Sequence, residues 1–250
     1  MHGERDDAPP AASRRKGPLF AVFDADLTLT RRPTWSSFLL YANEGRPMSR
    51  ARMAGGVLKH AARYKLGLGG TRQDVREAAL RHGIAGRLRA EVDPLADAFT
   101  DELMAKGLRR HARAVVEAHR AAGHTLMIAS AGVDLLIDRL GDRLGIEHRL
   151  HTPLLWEEER LAERLGGASV YAGEKVARVR DYLEGQGGRL AAFYSDHKTD
   201  LPLIEAATRG VAVNPSPTLR REAQAANLPI EDWDAEAPPA SVAAAARLGA

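Results

Sequence analysis

The sequence contains no cysteine. That excludes a disulfide framework, a thiolate metal site and a cysteine nucleophile. It also lacks any apolar run near the roughly 20 residues that a membrane-spanning helix needs. The longest useful run, Leu126-Met127-Ile128-Ala129, has the length of a strand. The N-terminal Met1-His2-Gly3-Glu4-Arg5-Asp6-Asp7 carries acids with no hydrophobic segment behind it, so it does not read as a secretory signal, and a cytoplasmic protein is expected. What is present is ordinary for a globular chain: 250 residues, 44% hydrophobic and 28% charged. Such a length suits one large domain or two modest ones, and it buries a sizeable core without metal or disulfide staples.

Acids are scarce in one stretch. Between Arg46 and Arg89, eleven Lys or Arg stand against Asp74 and Glu77 alone, a local +9 in a chain whose net charge is +3, which leaves the remainder at −6. A block of this kind points to an anionic ligand, a nucleic acid or an anionic membrane surface, or simply to solvated helix faces. Aromatic residues are also few, 5% of the chain, and Tyr64 is the only one inside the block. Base stacking therefore has little to work with, and no nucleic-acid partner is expected.

Residues 1–16 are Ala, Pro and charge and read as a disordered leader. Leu19-Phe20-Ala21-Val22-Phe23 is an apolar run that stops at Asp24, as a buried strand does; similar runs occupy 125–130, 190–195 and 211–213. Amphipathic stretches at 111–122, 133–144, 173–185 and 216–227 separate them. Buried strands alternating with helices imply an α/β fold with a parallel sheet covered on both faces. Ligands of such sheets sit beyond the carboxyl ends of the strands, where Asp24, Ser130 and Asp196 fall. The first strand is separated from the second by about a hundred residues, far more than one βαβ crossover uses. That interval shows helical patterns at 34–44, 48–65, 71–82 (Thr71 as N-cap) and 94–107 (Asp93 as cap, Pro94 in the first turn), so it reads as an inserted helical domain. The boundaries expected are 17–31 plus 110–234 for the core and 32–109 for the insertion. An Ala/Pro-rich tail at 235–250 is expected to fray or form a short helix.

The acids at strand ends carry chemistry in combination. Asp24 and Asp26 follow the first strand, Asp196 and Asp200 follow the Leu190–Tyr194 run, Ser130 ends another strand and Lys175 opens a helix. One carboxylate can attack phosphorus, and a second, two residues on, can protonate the leaving oxygen and later activate water. Oxygen ligands from both loops suit Mg²⁺, which takes few protein carboxylates. Clustered carboxylates without a cation would repel one another and raise a pKa. The set reads as phosphoryl transfer.

These segments resemble the haloacid dehalogenase-like hydrolases, in the phosphoserine-phosphatase-like branch (subfamily IB) with a helical C1 cap. Four motifs stand in order: Phe23-Asp24-Ala25-Asp26-Leu27-Thr28-Leu29-Thr30; Met127-Ile128-Ala129-Ser130-Ala131-Gly132; Gly173-Glu174-Lys175-Val176; and Tyr194-Ser195-Asp196-His197-Lys198-Thr199-Asp200. The resemblance implies a doubly wound, Rossmann-like parallel sheet with the insertion as cap. It makes Asp24 the nucleophile and a metal ligand, and Asp26 the general acid/base, ligating through its backbone carbonyl. Ser130 and Ala131 would bind the phosphoryl group, Lys175 would neutralise its charge and that of the nucleophile, and Asp196 would complete a Mg²⁺ site. Asp200 and Thr28 would support that arrangement. His197 stands where smaller polar residues are usual in this branch. An acid at 26 favours a phosphate ester over dehalogenation, so a small-molecule phosphate monoester is the expected substrate. Phosphotransfer to another acceptor would use the same groups. Phosphoserine members of the branch carry a carboxylate soon after the first motif, whereas here Arg31-Arg32-Pro33-Thr34-Trp35 follows and no acid appears before Glu44. A different phosphate ester is therefore expected.

Overall fold

A computed structural model describes residues 17–69 and 71–248; the expected leader at 1–16 lies outside the described residues. Six parallel strands form one sheet: β1 (Leu19–Phe23), β2 (Thr125–Val133), β3 (His148–Thr152), β6 (Arg189–Ser195), β7 (Arg209–Val213) and β8 (Ile230–Glu231), in the order β3-β2-β1-β6-β7-β8. A separate antiparallel hairpin, β4 (Leu154–Glu157) and β5 (Arg160–Leu165), leaves the end of β3.

Strands β1, β2, β6 and β7 read as largely apolar runs because both of their faces are covered. Ala21, Phe23, Leu126, Ile128, Ala192 and Tyr194 point to one side, and Phe20, Val22, Met127, Ala129 and Phe193 to the other. The first side is packed by α5 (Ala112–Ala121) and α6 (Asp134–Leu144), through Val115, Val116, Leu136, Ile137 and Leu140. The second is packed by α7 (Gly173–Gly185), α8 (Leu201–Ala206) and α9 (Pro217–Ala225), through Val179, Leu183, Leu203, Ile204, Leu219 and Ala223. Alternation of period two, with each set inside its own apolar cluster, is what a two-sided parallel sheet requires. The fold is the doubly wound α/β core with a helical insertion.

That insertion contains α1 (Thr34–Ala42), α2 (Pro47–Lys65), α3 (Arg72–Gly83) and α4 (Arg89–Glu102). Thr71 caps α3 in a reciprocal box with Asp74, as its spacing predicts. The expected start of the next helix is corrected. Helix α4 begins at Arg89, its first turn fastened by Glu91, whose carboxylate accepts from the Leu88 N–H at 2.9 Å. Pro94 consequently lies inside the helix, and Asp93 is not a cap but reaches Arg139 of α6 at 2.9 Å. Asp97 and Asp101 continue this row toward Arg139 and Arg143, tying the insertion to the core. The 94–107 helix also stops at Glu102 and passes into one wide turn, Leu103–Gly107.

Two segments connect the insertion to the sheet, and they pair with each other. Thr30 and Leu108 form an antiparallel bridge, with Arg31 N–H on the Gly107 carbonyl (2.8 Å) and Arg109 N–H on that of Leu29 (2.9 Å). Asp234 grips both from the core, accepting from Arg31 at 3.0 Å and Arg109 at 2.7 Å. The hairpin β4–β5 reaches the insertion as well: Gly86 N–H meets the Leu161 carbonyl at 2.7 Å, and Leu161 N–H meets that of Arg87 at 3.0 Å. In the tail, α10 (Ala240–Ala245) packs on α5. Its Ser241 donates through N–H (3.0 Å) and Oγ (2.9 Å) to the buried Glu231, which also receives Trp233 Nε1 at 3.0 Å.

Candidate active site

The site is built at the carboxyl ends of β1, β2 and β6. Asp24 leaves β1 with its N–H still bound to the Tyr194 carbonyl at 2.9 Å, so the carboxylate is fixed by the sheet itself. The chain then turns sharply, and Leu27 takes φ +65°, a left-handed conformation that a leucine rarely adopts. Arg109 holds it there, donating Nε (2.9 Å) and a terminal nitrogen (2.6 Å) to the Leu27 carbonyl. Ala172, immediately before α7, is likewise at φ +52°. Such strain is kept where the surroundings over-determine it, and here it brackets the acids and Lys175.

Five of the sequence-derived residues join in one hydrogen-bonded network. Lys175 Nζ lies 2.8 Å from Asp24 Oδ1 and 2.7 Å from Asp200 Oδ2. Ser195 Oγ donates to the same Asp200 oxygen at 2.7 Å. Thr28 Oγ1 stands between two carboxylates, 3.3 Å from Asp24 Oδ2 and 3.5 Å from Asp196 Oδ1, and accepts the Asp196 N–H at 3.0 Å. Asp24, Thr28, Lys175, Asp196 and Asp200 are all buried. Asp200 makes no side-chain cap on α8; its Oδ2 accepts from both Lys175 and Ser195.

The other three residues border the same cleft without bonding to this network. Asp26 Oδ1 accepts the Thr34 N–H at 2.7 Å, anchoring the start of α1. Ser130 Oγ accepts the Gly132 N–H at 3.0 Å. The Ala131 carbonyl receives Thr152 Oγ1 at 3.0 Å and the guanidinium of Arg76. Strand β2 runs on to Val133 instead of ending at Ser130, but its pairing with β1 stops at Ile128, which leaves Ser130 and Ala131 at the rim.

Charge decides what this arrangement can hold. Burial, with Asp200 and Asp196 nearby, pushes the Asp24 carboxyl up to about 7 against the pull of Lys175. Burial likewise raises Asp196 to about 6. Burial works against the charge on Lys175, yet Asp24 and Asp200 carry it above the ordinary lysine range. Three buried carboxylates thus share one ammonium, two negative charges in excess when all are ionised. Asp200 Oδ1 is also buried with no hydrogen-bond partner. Among the described residues, no three His, Asp or Glu side chains converge as a ready metal cluster. A pair of carboxylates facing one hydroxyl is a donor set that fits Mg²⁺, a cation that takes few protein carboxylates and retains water and phosphate oxygens.

A cleft of about 850 Å³ opens over these groups. Its far wall comes from the insertion, including Tyr64, Lys65, Arg72 and Arg76, and from Ser169 and Tyr171 before α7. Arg76 spans the cleft to Ser169 Oγ at 2.9 Å, and Arg72 lies 4.6 Å above the Tyr171 ring. His197 also lines it, bonded to Thr199 Oγ1 at 2.9 Å, its ring 5.9 Å from that of Tyr171. Arg72, Arg76 and Tyr171 were not singled out from sequence. The basic block was the one available signal, and it does not say which of its eleven cations face inward. Trp35 is buried against Phe38, outside the lining of the cleft.

Comparison with known proteins bears on the whole of this core. A haloacid dehalogenase-like hydrolase family model matches residues 21–205. The chain is 30% identical over 189 residues to Protein CicA of Caulobacter vibrioides, covering 75% of this chain and 82% of that one. It is 29% identical over 164 residues to a histidinol-phosphatase of Neisseria meningitidis, covering 62% and 73%. Among solved structures, a phospho-aspartyl intermediate analogue of phosphoserine phosphatase superposes with a TM-score of 0.59 at 16% identity, over 86% of this chain and 93% of that one, a likeness of fold. The match spans the strand-end acids, the insertion and Lys175 alike, and the chain belongs to the haloacid dehalogenase-like hydrolase family.

Proposed function

We propose that the protein is a Mg²⁺-dependent phosphomonoesterase that hydrolyses a small-molecule phosphate ester through an aspartyl-phosphate at Asp24. The observation that carries this reading is the joining of Asp24, Lys175, Asp200, Thr28 and Asp196 in one buried network at the floor of a cleft. The histidinol-phosphatase relative supports phosphate ester chemistry.

Asp24 attacks phosphorus with a carboxylate oxygen while the bond from phosphorus to the ester oxygen breaks. Asp26 gives its proton to the departing alkoxide. Water then attacks phosphorus of the acyl phosphate, Asp26 takes its proton, and inorganic phosphate leaves as Asp24 is regenerated. Lys175 lowers the cost of placing a phosphoryl group against Asp24, and Ser130 Oγ together with Ala131 binds its peripheral oxygens. Asp24, Asp196 and the backbone carbonyl of Asp26 would hold Mg²⁺, which when bound neutralises charge on the transferring group. Thr28 keeps the two carboxylates facing one another, and Asp200 keeps Lys175 charged and aimed.

The leaving group meets the insertion. Among the described residues of the cleft's insertion wall there is no carboxylate, while Lys65, Arg72 and Arg76 are cationic. A substrate ammonium has no counter-charge on that wall, which favours a neutral or anionic leaving group over phosphoserine. The test is hydrolysis of a generic aryl phosphate with Mg²⁺ by the wild type and by Asp24→Asn. Loss of about 10⁴-fold or more in kcat is expected for removal of a nucleophile. Metal-dependent turnover that survives the substitution would refute the assignment.

A further inference from the structure

The insertion presents a second surface, which shares only Lys65 with the cleft. Helix α2 packs on α3 by one side alone: Met53 lies against Gly83, Gly56 against His82, and Val57 joins the apolar core. On its opposite side Met48, Ala51, Gly55, Leu58, Ala62 and Leu66 recur at intervals of three and four residues, which aligns them in one stripe along the helix and its final turn. Met48, Leu58 and Leu66 are 68%, 70% and 70% exposed, and Leu68 just beyond is 64% exposed. Scattered surface leucines need no explanation, but a contiguous apolar stripe does.

Cations border that stripe on both edges. Arg52, Lys59 and Arg63 follow one edge at helical spacing, and Arg50 and Lys65 stand on the other. From Gly45 to Gln73 the sequence has no acid. Among the described residues none of these five cations pairs with a carboxylate; Arg50 and Arg63 turn instead to the carbonyls of Leu40 and Leu68. A helix with an apolar stripe between two rows of cations that form no ion pair has the anatomy of an interfacial helix.

We propose that this face of α2 docks peripherally on an anionic lipid bilayer, with Met48, Leu58, Leu66 and Leu68 at the headgroup boundary and the flanking cations on lipid phosphates. No helix among the described residues is long and apolar enough to cross a membrane, so the contact is one of surface only. Charge complementarity selects this occupant. A second copy would bring two sets of cations together with no acid on either face to answer them. A nucleic acid would engage the cations and leave the leucines in water. Tyr64 and Lys65, at the end of α2, also line the cleft, so docking sets the cleft mouth beside the bilayer. The inference is independent of the phosphatase reading.

The test is flotation of the full chain with vesicles of phosphatidylcholine alone and of phosphatidylcholine with phosphatidylglycerol at roughly three to one. The protein should float with the mixed vesicles, stay behind with the neutral ones, and detach as salt is raised. Arg52→Glu with Lys59→Glu should weaken binding by more than about tenfold. Leu58→Glu with Leu66→Glu should abolish it while leaving the melting temperature and aryl phosphatase activity unchanged. Absence of binding to the anionic vesicles overturns the proposal, as does binding that the leucine substitutions leave intact. A dimer dissolved by Leu58→Glu, or retention on duplex DNA, with no vesicle binding, overturns it in favour of those partners.

Discussion

Lys175 is buried among three carboxylates, and its removal has a consequence that depends on pH. Lys175→Met leaves Asp24 and Asp200 without the ammonium that each contacts within 2.8 Å. Breaking a buried pair by deleting one partner costs about 3–5 kcal/mol when the remaining charge has no escape. Here protonation is an escape, because the Asp24 carboxyl is already raised to about 7 by burial and by Asp200 and Asp196. The loss should therefore be larger at pH 8, where the carboxylates must stay charged, than at pH 5. Thermal denaturation of wild type and variant in metal-free buffer at the two pH values measures it. An equal loss at both would show that the ammonium is not balancing those acids. At this scale the site was largely legible: Asp24, Thr28, Lys175, Asp196 and Asp200 follow strand ends or open a helix, where position alone aims them at one rim. Arg72 and Arg76 were not, since only the packing of α3 over the cleft turns them inward.

Between elements, a second buried polar cluster links α5 to the sheet. His119 Nε2 lies 2.7 Å from Tyr194 Oη, and its Nδ1 lies 2.8 Å from His124 Nδ1. Burial, with the nearby charge of His124 and Arg209, lowers His119 to about 3. A histidine held neutral in the fold but free to protonate when unfolded stabilises the protein fully above its ordinary value near 6.5 and progressively less below it. Against a His119→Gln variant, the wild-type advantage should shrink below pH 6.5 by up to about 1.4 kcal/mol per pH unit. Urea unfolding at pH 7.5, 6 and 5 reads this, and a difference independent of pH would contradict it. The elements themselves divide by signal. Strands buried on both faces and helices with a clear apolar side were readable to within a few residues. Strand β3, His-Arg-Leu-His-Thr, is polar and only partly covered, so it carries no apolar run. The hairpin β4–β5 turns on Glu158 and Glu159, both at positive φ, with none of the Asn or Gly that normally marks such a turn. Asp93 and Pro94 mimic a helix start inside α4, whose actual start uses a leucine whose N–H is served by Glu91.

Across the whole molecule, the sheet supplies the acids and the insertion supplies the wall above them. The paired connections at Thr30 and Leu108, held by Asp234, are the joint between the two. A cleft floored by Asp24, Asp196 and Asp200 and roofed by Lys65, Arg72 and Arg76 carries opposite charge on its two faces. A phosphate dianion is drawn toward the roof but repelled by the floor, unless a divalent cation offsets the excess there. Phosphoryl transfer at this site therefore depends on that cation binding where Asp24 and Asp196 face one hydroxyl. Calorimetric titration of MgCl₂ into metal-free protein near pH 7.5 tests it most directly. One ion per chain is expected, with Asp196→Asn abolishing the heat while the variant remains folded. Absence of Mg²⁺ binding by the wild type, or undiminished binding by the Asp196→Asn variant, would contradict it.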